Sequence, residues 1–262
     1  MKKFSIGIFL IILVISQSLV GCATNDREIE TQKDREIEAQ KYFEQADTAW
    51  KVYKIDLAFE YYNRAIELNP NLADAYIGRS VLYAFASGGG ESNKAWQDCE
   101  RALQLNPNSA RAYRLRAYLN YHSSHNETNK LNQALADVNK AIEIDPNYLD
   151  AYEVRANIYS RLGNYEKAIE DYTHILTYPN FRSSSYMKYY DFDRTSDWAW
   201  YADWDQRTAA LLWKRGDAFY NYGAIDNAIE DLDNALKLSP NNSWLQRSQR
   251  KLIAERDRQN AS

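Results

Sequence analysis

The sequence predicts an all-α protein made of repeated helical hairpins. Small residues recur in pairs seven positions apart, and a proline follows each pair four or five residues later. Four are alanine pairs: Ala58 with Ala65, Ala95 with Ala102, Ala134 with Ala141, and Ala228 with Ala235. A further copy has Ala168 in the first place and the larger Ile175 in the second. Glycine and proline are otherwise rare, at 9 and 5 of 262 residues, and no long stretch alternates between apolar and polar residues, which disfavours a turn-rich β fold.

Each repeated segment contains the signals of two helices joined by a short turn. Seven residues make two helical turns, so each pair of small side chains lies on one helix face, where a neighbouring helix can approach closely. Proline ends that helix because it lacks an amide donor and clashes with the preceding turn. Upstream of each pair lies a second amphipathic stretch, as in Ala151 to Ala168, where Gly163 marks the turn.

This pattern resembles the tetratricopeptide repeat (TPR), a helix-turn-helix unit of 34 residues. The resemblance implies a right-handed α-solenoid of five units within residues 39–242. The units are expected at 39–72, 73–109, 110–148, 149–180 and 209–242. After them, residues 243–262 place Trp244, Leu245, Ser248 and Leu252 on one helical stripe, which predicts a helix that caps the solenoid.

An aromatic insert, residues 181–208, separates the fourth and fifth units. It is much richer in aromatic residues than the chain average of 14%. Ser196 is a suitable N-cap, so the first helix of the fifth unit is expected to begin near Asp197. The aromatic side chains have two possible uses: they pack over the neighbouring repeat as core, or they line the rim of a binding groove.

Arginine and aspartate recur at matching positions of units two to five. They occupy positions seven and twenty-three of the 34-residue repeat, allowing for the extra residues that enter at Ser87 to Asn93 and at His122 to Asn129. These two positions lie nearly opposite each other in an antiparallel helix pair. We therefore expect one structural ion pair inside each hairpin. The expected pairs are Arg79 with Asp98, Arg116 with Asp137, Arg155 with Asp171, and Arg215 with Asp231.

The first residues carry the signals of membrane targeting. Lys2 and Lys3 precede an apolar run from Phe4 to Val20, and the run ends in Leu-Val-Gly-Cys at Cys22. This resembles a bacterial lipoprotein signal peptide (residues 1–21), which implies lipidation of Cys22; the alternative is an uncleaved transmembrane anchor. Residues 22–38 are charged and are expected to form a tether.

The sequence contains little that indicates catalysis or nucleic-acid binding. The net charge is −4 and no basic face stands out, which disfavours nucleic acid as a partner. We find no nucleophile elbow and no phosphate loop, and the histidines number three. His122 and His125 lie near Glu127 but lack further ligands at matching spacing, so we predict no catalytic residue, metal or cofactor. Cys99 has no partner thiol and is expected to be buried.

The TPR resemblance also implies a binding surface, because the first helix of each unit lines the concave face in that family. The residues this assigns to partner binding are Phe43, Trp50, Arg111, Arg114, Tyr118, Tyr121, Asn157, Arg161, Trp213 and Tyr220. We expect a lipid-anchored adaptor that binds a protein or peptide partner at the bacterial cell or outer membrane, facing the periplasm or the exterior. The alternative is a binding protein for a glycan or another small ligand that uses the aromatic insert.

Overall fold

The computed structural model describes residues 31–86, 93–125, 127–179 and 204–261, and within these ranges all regular secondary structure is helical. The first helix, α1, covers residues 31–51. The others are α2 (Ile55–Leu68), α3 (Ala73–Ala86), α4 (Asn93–Leu105), α5 (Ala110–Ser123), α6 (Thr128–Ile144), α7 (Leu149–Arg161), α8 (Tyr165–Thr177), α9 (Trp204–Tyr222), α10 (Ile225–Leu238) and α11 (Ser243–Asn260). The all-α class predicted from the sequence is confirmed.

The chain divides into two compact units, residues 1–75 and residues 76–262. In the first unit, the hairpin of α1 and α2 buries small residues from both helices, among them Ala46 and Ala58. The Tyr62 hydroxyl of α2 donates a hydrogen bond to Asp47 Oδ1 of α1 at 2.6 Å. A polar contact therefore fixes how these two helices meet.

In the second unit, hairpins α5/α6, α7/α8 and α9/α10 pack through the predicted small residues. All the alanines of the seven-residue pairs, together with Ile175, are fully buried, and so are the small residues at the eighth position of the first helices, such as Ala117 and Ala156. Gly216 occupies that position in α9. A Cβ atom there would lie 3.3 Å from Ala228 O and 3.3 Å from Asp231 Cβ of α10. Small side chains thus set the distance between paired helices.

The turns follow from their residue chemistry. The second helices end at Leu68, Leu105 and Ile144, immediately before Asn-Pro or Asp-Pro. The side chains of Asn69, Asn106 and Asp145 each accept a hydrogen bond from the backbone N–H two residues later, which stabilises the turn. Within the hairpins, Gly163 and Gly223 have φ of 77° and 95°, a conformation that favours glycine. The predicted turn at Gly163 is confirmed.

Helix α9 extends ahead of the expected start of the fifth unit. It already includes Trp204, whose ring packs against the core formed by α7, α8 and α9. The end of the aromatic insert therefore contributes to the core. The expected start near Asp197, and the other aromatic residues of the insert, lie outside the described residues.

Helix α11 covers the last hairpin, as the sequence predicts. The Asn242 side chain caps it by accepting hydrogen bonds from the N–H groups of Trp244 and Leu245, both at 3.1 Å. Leu245 and Leu252 are buried in the cluster formed with α9 and α10, and the Trp244 ring meets Trp213 edge-on.

The amino-terminal predictions fall largely outside the described residues. The signal peptide 1–21 and Cys22 lie there, as does the tether up to residue 30. Residues 31–38 are the exposed first turns of α1. Among the helices described, none combines the length and apolar character needed to cross a membrane.

Cys99 lies inside α4, fully buried, and its Sγ is 3.6 Å from the carbonyl oxygen of Ala112 in α5. Burial raises the pKa of this thiol to about 12.

Candidate functional site

The four expected ion pairs are present, one inside each of four hairpins. In each, the arginine Nε and Nη2 donate to the two carboxylate oxygens of one aspartate, at distances of 2.7 to 2.9 Å. This is the fork geometry in which arginine binds a carboxylate most specifically. The pairs are Arg79 with Asp98, Arg116 with Asp137, Arg155 with Asp171, and Arg215 with Asp231.

The aspartates of these pairs are shielded from water, although not equally. The side chains of Asp98 and Asp137 are 9% and 13% exposed. Those of Asp171 and Asp231 are 7% and 3% exposed. Asp137 is thus the most accessible of the four, and all of them have most of their hydration replaced by the arginine fork.

Three of these arginines also reach the hairpin before their own, which the sequence did not predict. Arg116 Nη1 lies 3.1 Å from Glu100 Oε1 of α4. The equivalent atom of Arg155 donates to Asn139 of α6 at 3.0 Å, and that of Arg215 donates to Thr173 of α8 at 3.1 Å. One side chain therefore holds its own hairpin together and links it to the preceding one.

The residues assigned to partner binding differ in burial. Phe43, Trp50, Arg114 and Tyr118 are only 8%, 7%, 3% and 9% exposed, so they offer little contact area. Arg111, Tyr121, Asn157, Trp213 and Tyr220 are half-buried, and Arg161 is exposed. Asn157 also has a structural contact, because its Oδ1 accepts a hydrogen bond from the Tyr172 hydroxyl at 2.7 Å.

A cation–aromatic group joins the ends of α5 and α7. The Arg161 guanidinium lies 3.8 Å from the centroid of the Tyr121 ring, and its Nη1 donates to Tyr121 O at 2.8 Å. The His122 ring packs between Tyr118 and Tyr121. This group presents flat aromatic and guanidinium surfaces, which suit protein recognition.

His122 and His125, which the sequence does not favour as metal ligands, lie in this region too. His125 Nδ1 is 3.1 Å from Ser123 O, and the His122 ring is held by its tyrosine neighbours. Over the ranges that the structure describes, no three metal-ligating side chains come together.

A second group of charged side chains spans the first helices α5, α7 and α9. We call it the charge cluster, and it consists of Arg111, Arg114, Asp150, Glu153, Arg207 and Lys214. Arg207 Nη2 lies 3.3 Å from Asp150 Oδ1 and 3.3 Å from Glu153 Oε2. Lys214 Nζ donates to Glu153 Oε1 at 3.0 Å. The sign of the charge thus alternates, positive on α5, negative on α7 and positive on α9.

Asp150 lies at the centre of the charge cluster and is 2% exposed. Burial raises the pKa of its carboxyl to about 7, although the positive charges of Arg207, Arg114 and Arg111 oppose the rise. Glu153 adds to the rise by repulsion. The Asp150 carboxyl therefore changes protonation close to neutral pH.

The sequence singled out Arg111 and Arg114 but missed Asp150, Arg207 and Lys214 as members of a site. Asp150 occupies position two of the fourth unit, a position that lines the concave face in the TPR family, so this signal was available. Arg207 precedes the expected start of its unit at residue 209, and so the repeat numbering did not include it.

Models of the tetratricopeptide repeat match the chain in four stretches. One model matches residues 42–72, 115–148 and 209–242, and a second matches residues 138–170. The chain therefore contains tetratricopeptide repeats, and the matched stretches fall on the hairpins α1/α2, α5/α6, α7/α8 and α9/α10.

Solved structures of other proteins share this fold. The TPR protein TTC0263 of Thermus thermophilus is 15% identical, with a TM-score of 0.58 over 82% of this chain and 99% of that one. PilF of Pseudomonas aeruginosa is 15% identical, with a TM-score of 0.59 over 86% and 88%. PilW, a type IV pilus biogenesis factor, is 13% identical, with a TM-score of 0.59 over 82% and 86%. No curated protein matches the sequence.

Proposed function

We propose that this protein is a lipid-anchored adaptor of the bacterial cell envelope that binds a protein or peptide partner through the first helices of its repeats. TPR proteins bind protein or peptide partners, and the fold is that of a TPR solenoid. The observation that carries the proposal is the group of half-buried and exposed side chains on α5, α7 and α9. They are Arg111, Tyr121, Asn157, Arg161, Trp213 and Tyr220.

The composition of this group supports binding rather than catalysis. Aromatic rings and guanidinium groups give large, rigid contacts and forked donors, which dominate the energetics of protein interfaces. The stacked pair of Arg161 and Tyr121 is already ordered by its own hydrogen bond. Its ordering therefore adds little entropic cost when a partner binds.

The support for anchoring comes from the sequence alone. The Leu-Val-Gly-Cys ending at Cys22 follows an apolar run of signal-peptide length. Two or more acyl chains, at about 0.8 kcal/mol per buried methylene, hold a protein on a bilayer stably. We expect the wild-type protein in the membrane fraction. The Cys22→Ser variant should be either soluble or still joined to its uncleaved signal peptide. Mass spectrometry of the mature amino terminus checks this, and an unmodified Cys22 contradicts it.

Partner binding is tested by cross-linked capture from membranes with two charge reversals in one hairpin. Arg161→Glu changes the exposed end of the first helix α7, and Lys167→Glu makes the same charge change on the second helix α8. We expect Arg161→Glu to lower the yield of one specific partner and Lys167→Glu to leave it unchanged. Equal yields from both variants, with the fold intact by circular dichroism, would exclude the first helices as the binding surface.

A further inference from the structure

The turn between α1 and α2 carries two exposed apolar side chains between two lysines. Val52 is 58% exposed and Tyr53 is 38% exposed, and Lys51 and Lys54 on either side of them are exposed as well. Neither lysine forms an ion pair within the described part of the chain. No residue from Thr48 to Ile55 is acidic. The turn therefore presents apolar surface and uncompensated positive charge side by side.

Tyr53 has a backbone conformation that two other hairpins give to glycine. Its φ is 57°, and the equivalent residues Gly163 and Gly223 have φ of 77° and 95°. In each turn this residue's N–H donates to the carbonyl oxygen three residues earlier, at 3.0 to 3.1 Å. A bulky side chain in this left-handed region is strained, whereas glycine is not. Strain of this kind clusters at functional sites, so the exposed Tyr53 ring calls for a function beyond that of the turn.

The exposed side of α1 continues this surface. Ile37 is 61% exposed and lies 14 residues before Lys51, close to four helical turns, so both side chains project from the same side. Lys41 is exposed one turn after Ile37. The acidic residue on this side between Ile37 and Lys51 is Glu44, which accepts a hydrogen bond from Gln40 at 3.1 Å. We call the exposed residues of this side and of the turn the basic strip: Ile37, Lys41, Lys51, Val52, Tyr53 and Lys54.

We propose that the basic strip lies against the anionic surface of the membrane that carries the lipid anchor. This rests on the proposed anchoring through Cys22. Cys22 and Thr31 are nine residues apart, so the chain between them spans at most about 30 Å. Helix α1 covers residues 31–51 and is about 30 Å long. The anchor therefore leaves enough chain for α1 to lie along the bilayer with both of its ends in contact.

Each type of side chain in the basic strip suits the interface between lipid and water. The ammonium groups of Lys41, Lys51 and Lys54 are attracted by anionic lipids. A tyrosine ring enters the boundary of the acyl chains while its hydroxyl group stays in water. Ile37 and Val52 bury apolar surface there. Basic and apolar side chains add a second signal to the acyl anchor, and they fix how the first hairpin is oriented on the bilayer.

The test is lysine footprinting of the full wild-type protein on two kinds of vesicle. One is phosphatidylcholine alone, and in the other about a third of the lipid is phosphatidylglycerol. Acetylation of each lysine is followed by mass spectrometry of peptides. We expect Lys51 and Lys54 to react at least about fivefold more slowly on the anionic vesicles. Lys167 of α8 and Lys237 of α10 are exposed controls whose rates should not differ between the vesicles.

A pair of substitutions tests the apolar part of the basic strip. Tyr53→Gly gives the turn the residue that its backbone conformation favours, and circular dichroism checks that the fold is kept. Combined with Val52→Ser, it is expected to lower the protection of Lys51 and Lys54 by at least about twofold. Tyr222→Ser is the matched control. It removes a tyrosine that is 57% exposed beside the turn between α9 and α10, and it should leave the protection unchanged.

Two results overturn the inference. They are equal acetylation rates of Lys51 and Lys54 on both kinds of vesicle, and protection of Lys167 and Lys237 as strong as that of Lys51 and Lys54. If the protein sediments with the vesicles while Lys51 and Lys54 stay reactive, the anchor stands and the membrane contact alone is wrong. A protein that sediments with neither kind of vesicle contradicts the proposed anchoring as well.

Discussion

Each ion pair between arginine and aspartate fixes geometry more than it adds stability. Burial raises the pKa of the Asp171 and Asp231 carboxyls, and the hydrogen bonds from Arg155 and Arg215 only partly offset the rise. The cost of removing these carboxylates from water is thus comparable with the attraction that they gain. The pairs favour one arrangement of the two helices, because any other leaves a buried carboxylate unpaired.

Breaking one pair is expected to destabilise the fold far more than breaking a surface pair. Arg155→Ala leaves Asp171 without its donors and is expected to cost about 2 kcal/mol in the free energy of unfolding. Arg64→Ala, which removes an exposed pair with Glu67, is expected to leave the free energy of unfolding almost unchanged. Urea denaturation measures both. Equal costs would show that burial does not control the contribution of these pairs.

Asp150 is expected to make the stability fall as the pH rises. An unfolded aspartate ionises near pH 4, whereas the folded Asp150 carboxyl keeps its proton until about pH 7. The folded state therefore binds the extra proton between these values, and the free energy of unfolding declines across that window as the pH increases. Asp150→Asn stays neutral throughout and should reduce the decline. Urea midpoints at several pH values, compared between the two proteins, check this; parallel curves would contradict it.

At the scale of the helices, two paired helices approach closely only where the facing residue has a short side chain or, as in glycine, none. Gly216 of α9 shows this most clearly, since a Cβ there meets α10 at 3.3 Å. The contact is tight, and an added Cβ requires α10 to shift by a few tenths of an ångström. A branched side chain brings further atoms to the same crowded contact, so we expect it to require a larger shift.

Two substitutions at Gly216, by alanine and by valine, are therefore expected to change the free energy of unfolding differently. Gly216→Ala gains about 1 kcal/mol in helix propensity, which offsets the crowding, so its net effect is expected to be small. Gly216→Val is expected to destabilise by about 2 kcal/mol through overpacking. Thermal unfolding distinguishes them. A Gly216→Val variant as stable as the wild type would mean that α9 and α10 can move apart without loss of stability.

Helical elements were predictable because their signals are local. A proline ends each second helix, a small pair marks each packed face, and both lie within a dozen residues of each other. The charge cluster was not predictable in this way, since Arg207 and its partner Asp150 are 57 residues apart. Arg207 also precedes the expected start of its unit at residue 209, so the repeat numbering did not place it beside Asp150.

At the scale of the whole molecule, the last hairpin of the second unit has an apolar surface that must be covered. Helix α11 covers it by burying Leu245 and Leu252 while its other face stays polar. Without this helix, the apolar residues of α10 that now pack against it would face water.

Leu245→Asp is expected to expose that surface. A buried carboxylate in place of leucine costs at least about 3 kcal/mol, so α11 should detach and the protein should self-associate. Arg247→Asp, at an exposed position of α11, is the control and should leave the protein monodisperse. Size-exclusion chromatography with light scattering measures the difference. Monodisperse Leu245→Asp protein would show that α11 is dispensable as a cap.

The buried sulfur of Cys99 provides a kinetic probe of the repeats. Its thiol is shielded between α4 and α5 and stays protonated well above neutral pH, so a thiol reagent can react only after these helices separate. In a Cys22→Ser chain Cys99 is the sole cysteine. The modification rate of that chain, followed by mass, then measures how often this pair of helices opens under native conditions.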